Sequence, residues 1–219
     1  MFRSRPVIGL LGGISSGKST VARRLASLGP GRVVDADSLA HDALAAAAAD
    51  GRLEAALGPG FVREDGKPDR AALGASVFSD TALLRRLERL IHPTVQVAIK
   101  AAIEDHLRGE GPAVLILDVP LLIEVGLDRA CTELWFIEVP DELRKERAGG
   151  RGMTAEQIAQ RERFQSPLVR KRARADRILV NAGTPADLDE QIRRALADLG
   201  AGPAPLSPVG PAKHADPAA

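Results

Sequence analysis

A continuous apolar run, Pro6-Val7-Ile8-Gly9-Leu10-Leu11, leads directly into Gly12-Gly13-Ile14-Ser15-Ser16-Gly17-Lys18-Ser19. The run has the character of a parallel strand buried on both faces. The glycine segment satisfies the pattern G-x-x-x-x-G-K-[ST]. Beyond it Val21, Leu25 and Leu28 recur at i, i+4 and i+7, which predicts a helix stopped by Gly29. Strand, glycine loop and helix in this order place successive backbone N–H groups and a helix N-terminus where phosphate oxygens bind. In such a loop Lys18 reaches the β- and γ-phosphates and the Ser19 hydroxyl holds Mg²⁺. The competing reading is a structural glycine-rich turn.

The rest of the chain continues the alternation. Val33-Val34 predict a second strand ending at Asp35, with Asp37 or Ser38 capping an Ala-rich helix that runs to about Ala49. Residues 50–75 carry many Gly and Asp and read as loop. Leu83, Leu84, Leu87, Leu90 and Ile91 predict a helix from Ser79 or Asp80 that ends at His92-Pro93, because proline disfavours the helical region in the residue before it. A further helix carries Val95, Ile99, Ala102 and Ile103. Strands follow at 114–119 and 134–139, then a charged helical pair at about 141–150 and 154–165, and a last strand at 178–180. Thr184-Pro185 supplies a cap and first turn for a final helix with Leu188, Ile192, Leu196 and Leu199. Five strands alternating with helices predict an α/β fold with a five-stranded parallel sheet. The block 50–110 is too long for a plain crossover and is expected to project as a helical subdomain. After Gly200 the chain holds prolines at 203, 205, 208, 211 and 217, and this tail is expected to be disordered.

Charge narrows the function classes. Lys and Arg number 30 against 29 Asp and Glu, too even for a protein that coats nucleic acid. Residues 141–177 nevertheless hold eleven Lys/Arg against six Asp/Glu, a cationic stretch suited to a small anionic ligand. The single cysteine, Cys131, excludes an intramolecular disulfide framework. Arg3 and Arg5 precede an apolar run that is short for a secretory signal and passes into the glycine loop. With no membrane-length apolar run in the sequence, the protein is expected to be soluble and cytoplasmic.

Several side chains are candidates for chemistry. Asp35 and Asp37 lie at the carboxyl end of the second strand, where ligands of open α/β sheets bind. A carboxylate there can take a proton from an attacking hydroxyl, or it can simply cap the next helix. Asp118, ending the third strand, can assist Mg²⁺ through water or serve as a turn residue. Arg144, Lys145, Arg147 and Arg151 can present guanidiniums from one helix face to a transferring phosphoryl group, or form a solvated charged face. His41, His106 and His214 show no ligand spacing and read as surface residues. Trp135 and Phe136 read as core.

On these residues, and on Leu90-Ile91-His92-Pro93, Asp118-Val119-Pro120-Leu121-Leu122-Ile123-Glu124, Gln165, Ala175-Asp176 and Asn181, the chain resembles the dephospho-coenzyme A kinases over about residues 6–199. The resemblance implies a P-loop kinase fold with a helical substrate-binding insert and a helical lid at about 141–166. It implies ATP-dependent phosphorylation of the 3′-hydroxyl of dephospho-CoA, with ATP and Mg²⁺ as cofactors and no nucleic-acid or membrane partner. ATP is then expected at Gly13, Ile14, Ser15, Ser16, Gly17, Lys18, Ser19 and Thr20. The acidic base corresponds to Asp37; Asp35, His92, Pro120, Leu121 and Glu124 are expected to help hold dephospho-CoA. Arg144, Arg147 and Arg151 are the expected phosphate contacts of the lid, and the loop after Asn181 is expected beside the adenine. Ser15 departs from the family, whose loop usually has glycine there. A rival of the same fold is a nucleoside monophosphate kinase. A GTPase-type switch would need Asn-Lys-x-Asp, but the only asparagine, Asn181, is followed by alanine.

Overall fold

The computed structural model describes residues 5–201. The described residues divide into two compact units: one formed by residues 5–34 together with 105–201, the other by Asp35–Glu104.

The first unit is a five-stranded parallel sheet with helices. Its strands are β1 (Val7–Gly12), β2 (Gly31–Asp35), β3 (Val114–Asp118), β4 (Glu133–Glu138) and β5 (Arg177–Val180), in the spatial order β2-β3-β1-β4-β5. β1 is central: Ile8 lies opposite Ile116 of β3 and Leu10 opposite Trp135 of β4. Every residue of β1 and of β3 is buried, which is why both read as unbroken apolar runs rather than as alternating strands. α1 (Lys18–Leu28) and α9 (Pro185–Ala201) bury Val21, Leu25, Leu188, Ile192 and Leu196 in the same core as Ile8, Ile116 and Trp135. Gly29 ends α1, as its position predicts. The Thr184 hydroxyl accepts from the Asp187 N–H at the start of α9, and Trp135 is fully buried.

The lid segment of the sequence reading consists of α6 (Asp141–Gly149) and α7 (Ala155–Glu162), followed by a short α8 (Leu168–Arg174) that its periodicity did not reveal. Thr154 and Gln157 form a reciprocal capping box that fixes the start of α7. Asp176, which carries part of the resemblance, stands just before β5 and is tied to β4: its carboxylate accepts from the Leu134 N–H at 3.0 Å and its own N–H donates to the Leu134 carbonyl at 2.8 Å. It extends the β4–β5 pairing by one step.

The second unit comprises α2 (Ala36–Ala49), α3 (Arg52–Leu57), α4 (Arg70–Ser79) and most of α5 (Thr81–Leu107). It starts at Asp35 rather than near residue 50, because α2 belongs with it. Two expectations fail here. Residues 50–75 are not all loop, since α3 occupies Arg52–Leu57 and α4 begins at Arg70 under an Asp69 cap. Nor does the helix end at His92-Pro93, because α5 runs through Pro93 for 27 residues. A mid-helix proline removes one hydrogen bond and costs about 3 kcal/mol. The apolar stripe keeps its phase across the proline, with Ile91, Val95, Ile99, Ala102 and Ile103 all buried, and burying such a row outweighs that cost.

The tail that the sequence marks as disordered begins where α9 ends, and residues 202–219, with His214, lie outside the described residues.

Candidate active site

The glycine loop occupies the carboxyl end of β1, as the strand–loop–helix order requires. Its shape is set by a turn in which the Ser16 N–H donates to the Gly13 carbonyl at 3.2 Å, and by left-handed backbone at Ser15 (φ 58°) and Gly17 (φ 87°). Glycine tolerates that region freely, whereas a Cβ costs about 1–2 kcal/mol. Ser15 bears this cost. The Ser15 and Ser16 hydroxyls are both buried and have no hydrogen-bond partner.

Lys18 is the first residue of α1 rather than part of the loop proper. Its side chain folds back so that Nζ donates to the carbonyls of Gly12 at 3.2 Å and Gly13 at 3.1 Å. The ammonium therefore lies against the loop that would cradle phosphate. Ser19, one residue on, is exposed on the first turn of α1.

Arg144 of α6 meets this loop. Its guanidinium donates to the Ile14 carbonyl at 3.3 Å and rests on Gly13, where an added Cβ would stand 2.5 Å from it. The same guanidinium pairs with Asp141 at 2.7 Å and with Glu162 of α7 at 3.1 Å, so it ties α6 and α7 to the glycine loop. Burial opposes its charge, but the two carboxylates outweigh burial and hold its pKa above the ordinary value; Arg144 in turn holds Asp141 below the usual carboxylate range. Arg147 is half-buried and Arg151 exposed, so the expected row of three inward guanidiniums is replaced by one buried arginine. A nine-residue helix turns Arg144 and Ala148 inward together and puts Arg147 toward the edge of that face, whereas Arg151 lies beyond the helix end at Gly149.

Asn181 follows β5 and holds the loop from the other side. Its Nδ2 donates to the Ser16 carbonyl at 2.8 Å and sits against the Cα of Gly17, where a side chain would collide. Glycine at 17 thus serves both the backbone turn and the approach of Asn181.

The Val119–Glu124 segment follows β3, whose last residue, Asp118, is buried. Pro120 and Leu121 are half-buried and Leu122 is buried. Glu124 accepts from the Ser166 N–H at 2.5 Å and pairs with Lys171 at 3.7 Å, while Lys171 also donates to Gln165 at 2.8 Å. Lys171 is almost fully buried, and burial pulls its pKa down against the opposing pull of Glu124. Glu124 and Gln165 therefore join the segment after β3 to the chain between α7 and α8. The sequence reading missed Lys171, which stands inside Arg170-Lys171-Arg172 and looks like a solvated charge.

The helical unit holds the remaining candidates. Asp35, not Asp37 or Ser38, caps α2: its Oδ1 accepts from the Asp37 N–H at 2.9 Å and from the Ser38 N–H at 3.4 Å. Asp37 therefore stands in the first turn of α2 with no capping duty. It lines an open hollow of about 400 Å³ with His41, Leu44, Leu87, Ile91 and His92. His92 is shared with a second hollow bordered by Arg85, Arg89 and Pro93. His41 is exposed as expected, but His106 is buried and hydrogen-bonded, contrary to its reading as a surface residue. Cys131 is no nucleophile: burial, with the nearby Asp128 charge, pushes its thiol up to about 12.

Among the described residues no helix is long and apolar enough to cross a membrane. The family model described as dephospho-CoA kinase matches residues 6–187. A dephospho-CoA kinase of Symbiobacterium thermophilum is 41% identical over 204 residues, spanning 90% of this chain and 84% of that protein. A dephospho-CoA kinase of Geobacter sulfurreducens is 37% identical, over 87% and 97% of the two chains. Among solved structures, TT1252 from Thermus thermophilus is 35% identical with a TM-score of 0.70 over 90% and 99% of the chains. A dephospho-CoA kinase from Campylobacter jejuni, 22% identical over 90% and 98%, shares the fold with a TM-score of 0.67.

Proposed function

The chain belongs to the dephospho-CoA kinase family, and from that premise we propose how its residues divide the work of moving a phosphoryl group from ATP to the 3′-hydroxyl of dephospho-CoA. The products are coenzyme A and ADP. The observation that carries the reading is the glycine loop at the end of β1, with Lys18 and Arg144 both engaged on its carbonyls.

ATP phosphates take the backbone N–H groups of Gly13–Thr20. On their arrival Lys18 exchanges two neutral carbonyls for phosphate oxygens, and Arg144, already pinned to the loop, adds a second positive charge. Both favour the transition state, in which charge spreads over the equatorial oxygens of the γ-phosphoryl group. Asp37 accepts the proton of the 3′-hydroxyl as its oxygen bonds to the γ-phosphorus, and the bond from that phosphorus to the bridging oxygen of ADP breaks. The cap supplied by Asp35 supports this division of labour, because it leaves Asp37 available for the substrate. The hollow shared by Asp37 and His92 has the apolar and polar lining that a nucleoside needs, and Arg85 and Arg89 beside His92 suit the pyrophosphate of dephospho-CoA.

Mg²⁺ fits the residues present. No group of three or more His, Cys, Asp or Glu that would cage an ion occurs among the described residues. An ion carried mainly by phosphates and water, with the exposed Ser19 hydroxyl as its protein ligand and Asp118 as a water acceptor, needs no such cage. When bound it neutralises phosphate oxygens. A coupled ADP-release assay with ATP and Mg²⁺ tests the reading: release is expected to depend on dephospho-CoA, and equal release with a nucleoside monophosphate in its place would point to the rival kinase activity.

A further inference from the structure

Ser15 is the residue of the glycine loop that the structure leaves worst served. It adopts left-handed backbone (φ 58°), a conformation that favours glycine. It is only 9% exposed, and its hydroxyl is sealed from solvent with no hydrogen-bond partner. Natural proteins seldom bury a hydroxyl without a partner, so an orphan of this kind at a binding loop points to a ligand as its partner. Strain in the backbone at the same residue points the same way, because such conformations persist at ligand clamps. The neighbours agree: the carbonyls on either side of the turn are engaged by cations, Gly13 by Lys18 and Ile14 by Arg144, so the loop is already organised around charge that phosphate would claim.

We propose that the Ser15 hydroxyl is a phosphate-binding group of this enzyme, donating to an oxygen of the ATP polyphosphate when the nucleotide enters the loop. The proposal rests on the glycine loop as the ATP site and adds a side-chain donor to its backbone donors. A glycine at this position would relax the turn at the expense of that donor, so serine exchanges loop stability for grip on the nucleotide.

The test compares Ser15→Ala and Ser15→Gly with the wild-type enzyme, measuring ATP affinity by titration calorimetry and melting temperature without nucleotide. Alanine removes the hydroxyl and keeps the strained φ; glycine removes both. Both variants are expected to bind ATP about tenfold or more weakly, the usual worth of a hydrogen bond to a charged group. Ser15→Gly is expected to melt no lower than wild type. ATP affinity within twofold of wild type in Ser15→Ala would overturn the proposal. So would weakening in Ser15→Ala alone, which would assign the effect to the backbone. A wild-type enzyme that turns over dephospho-CoA while Ser15→Ala binds ATP normally removes the hydroxyl's role and leaves the ATP site standing; wild-type protein that binds no ATP removes both.

Discussion

At the scale of single residues, Lys18 and the aspartate pair separate chemistry from scaffolding. Lys18 donates to two carbonyls, each such bond worth about 1 kcal/mol net. Lys18→Ala is therefore expected to lower the melting temperature only slightly while nearly abolishing phosphoryl transfer; activity within threefold of wild type would contradict the role given to it. The cap at Asp35 sharpens the comparison with Asp37. Asp37→Asn is expected to lower kcat by roughly 10²–10⁴, the worth of a positioned general base, with melting unchanged because it caps nothing. Asp35→Ala should instead cost about 1 kcal/mol of stability through the lost cap. Should Asp35→Asn damage kcat more than Asp37→Asn at unchanged melting, the base is the other carboxylate.

At the scale of elements, α6 and α7 are joined to each other and to the glycine loop through one guanidinium, since Arg144 bonds Asp141, Glu162 and the Ile14 carbonyl. Phosphate bound at the loop, as proposed, would add a further partner to that guanidinium and so draw α6 and α7 more firmly onto the loop. Hydrogen exchange across 141–166 is expected to slow when a non-hydrolysable ATP analogue and dephospho-CoA are added together. Unchanged exchange there would remove the lid assignment. The elements also show why some of the fold was legible and some was not. Unbroken apolar runs gave away β1 and β3 because burial on both faces leaves no room for polar residues. α3 escaped because six residues hold under two turns of periodicity, and its Gly51 and Gly58 ends look like loop punctuation. Pro93 misled because a local rule about proline was outweighed by a stripe of buried side chains extending to Ile103. Within the candidate site the loop was legible from spacing alone. The choice of Arg144 over Arg147 and Arg151, the Asp35 cap, and the buried Lys171 were not, because each depends on which side of a short helix faces inward.

At the scale of the whole molecule, stability is tied to pH through the place where the chain returns from the helical unit to the sheet unit. α5 ends at Leu107, and Arg5, just ahead of β1, gathers the carbonyls around that end: His106 at 2.6 Å, Glu110 at 2.8 Å, Gly111 at 2.9 Å and Pro112 at 2.7 Å. The buried His106 ring lies in this cluster, Nε2 at 3.2 Å from the Pro6 carbonyl and Nδ1 at 3.5 Å from the Arg5 guanidinium. A carbonyl can only accept, so Nε2 carries the hydrogen and Nδ1 is left to accept from Arg5. A second proton would have to sit on Nδ1, against a guanidinium. Burial first, and the Arg5 charge second, accordingly hold His106 below its ordinary value. In the unfolded chain histidine titrates near 6.5. Between that value and the lower folded pKa the unfolded state binds more protons, so stability is complete above about pH 7 and falls as pH drops through the window. The melting temperature is thus expected to fall between pH 7.5 and 5.5. His106→Gln, whose amide can still donate to the Pro6 carbonyl, is expected to flatten that fall. If the variant melts with the same pH slope as wild type, the acid sensitivity belongs to other groups and the anchor at Arg5 does not depend on a neutral ring.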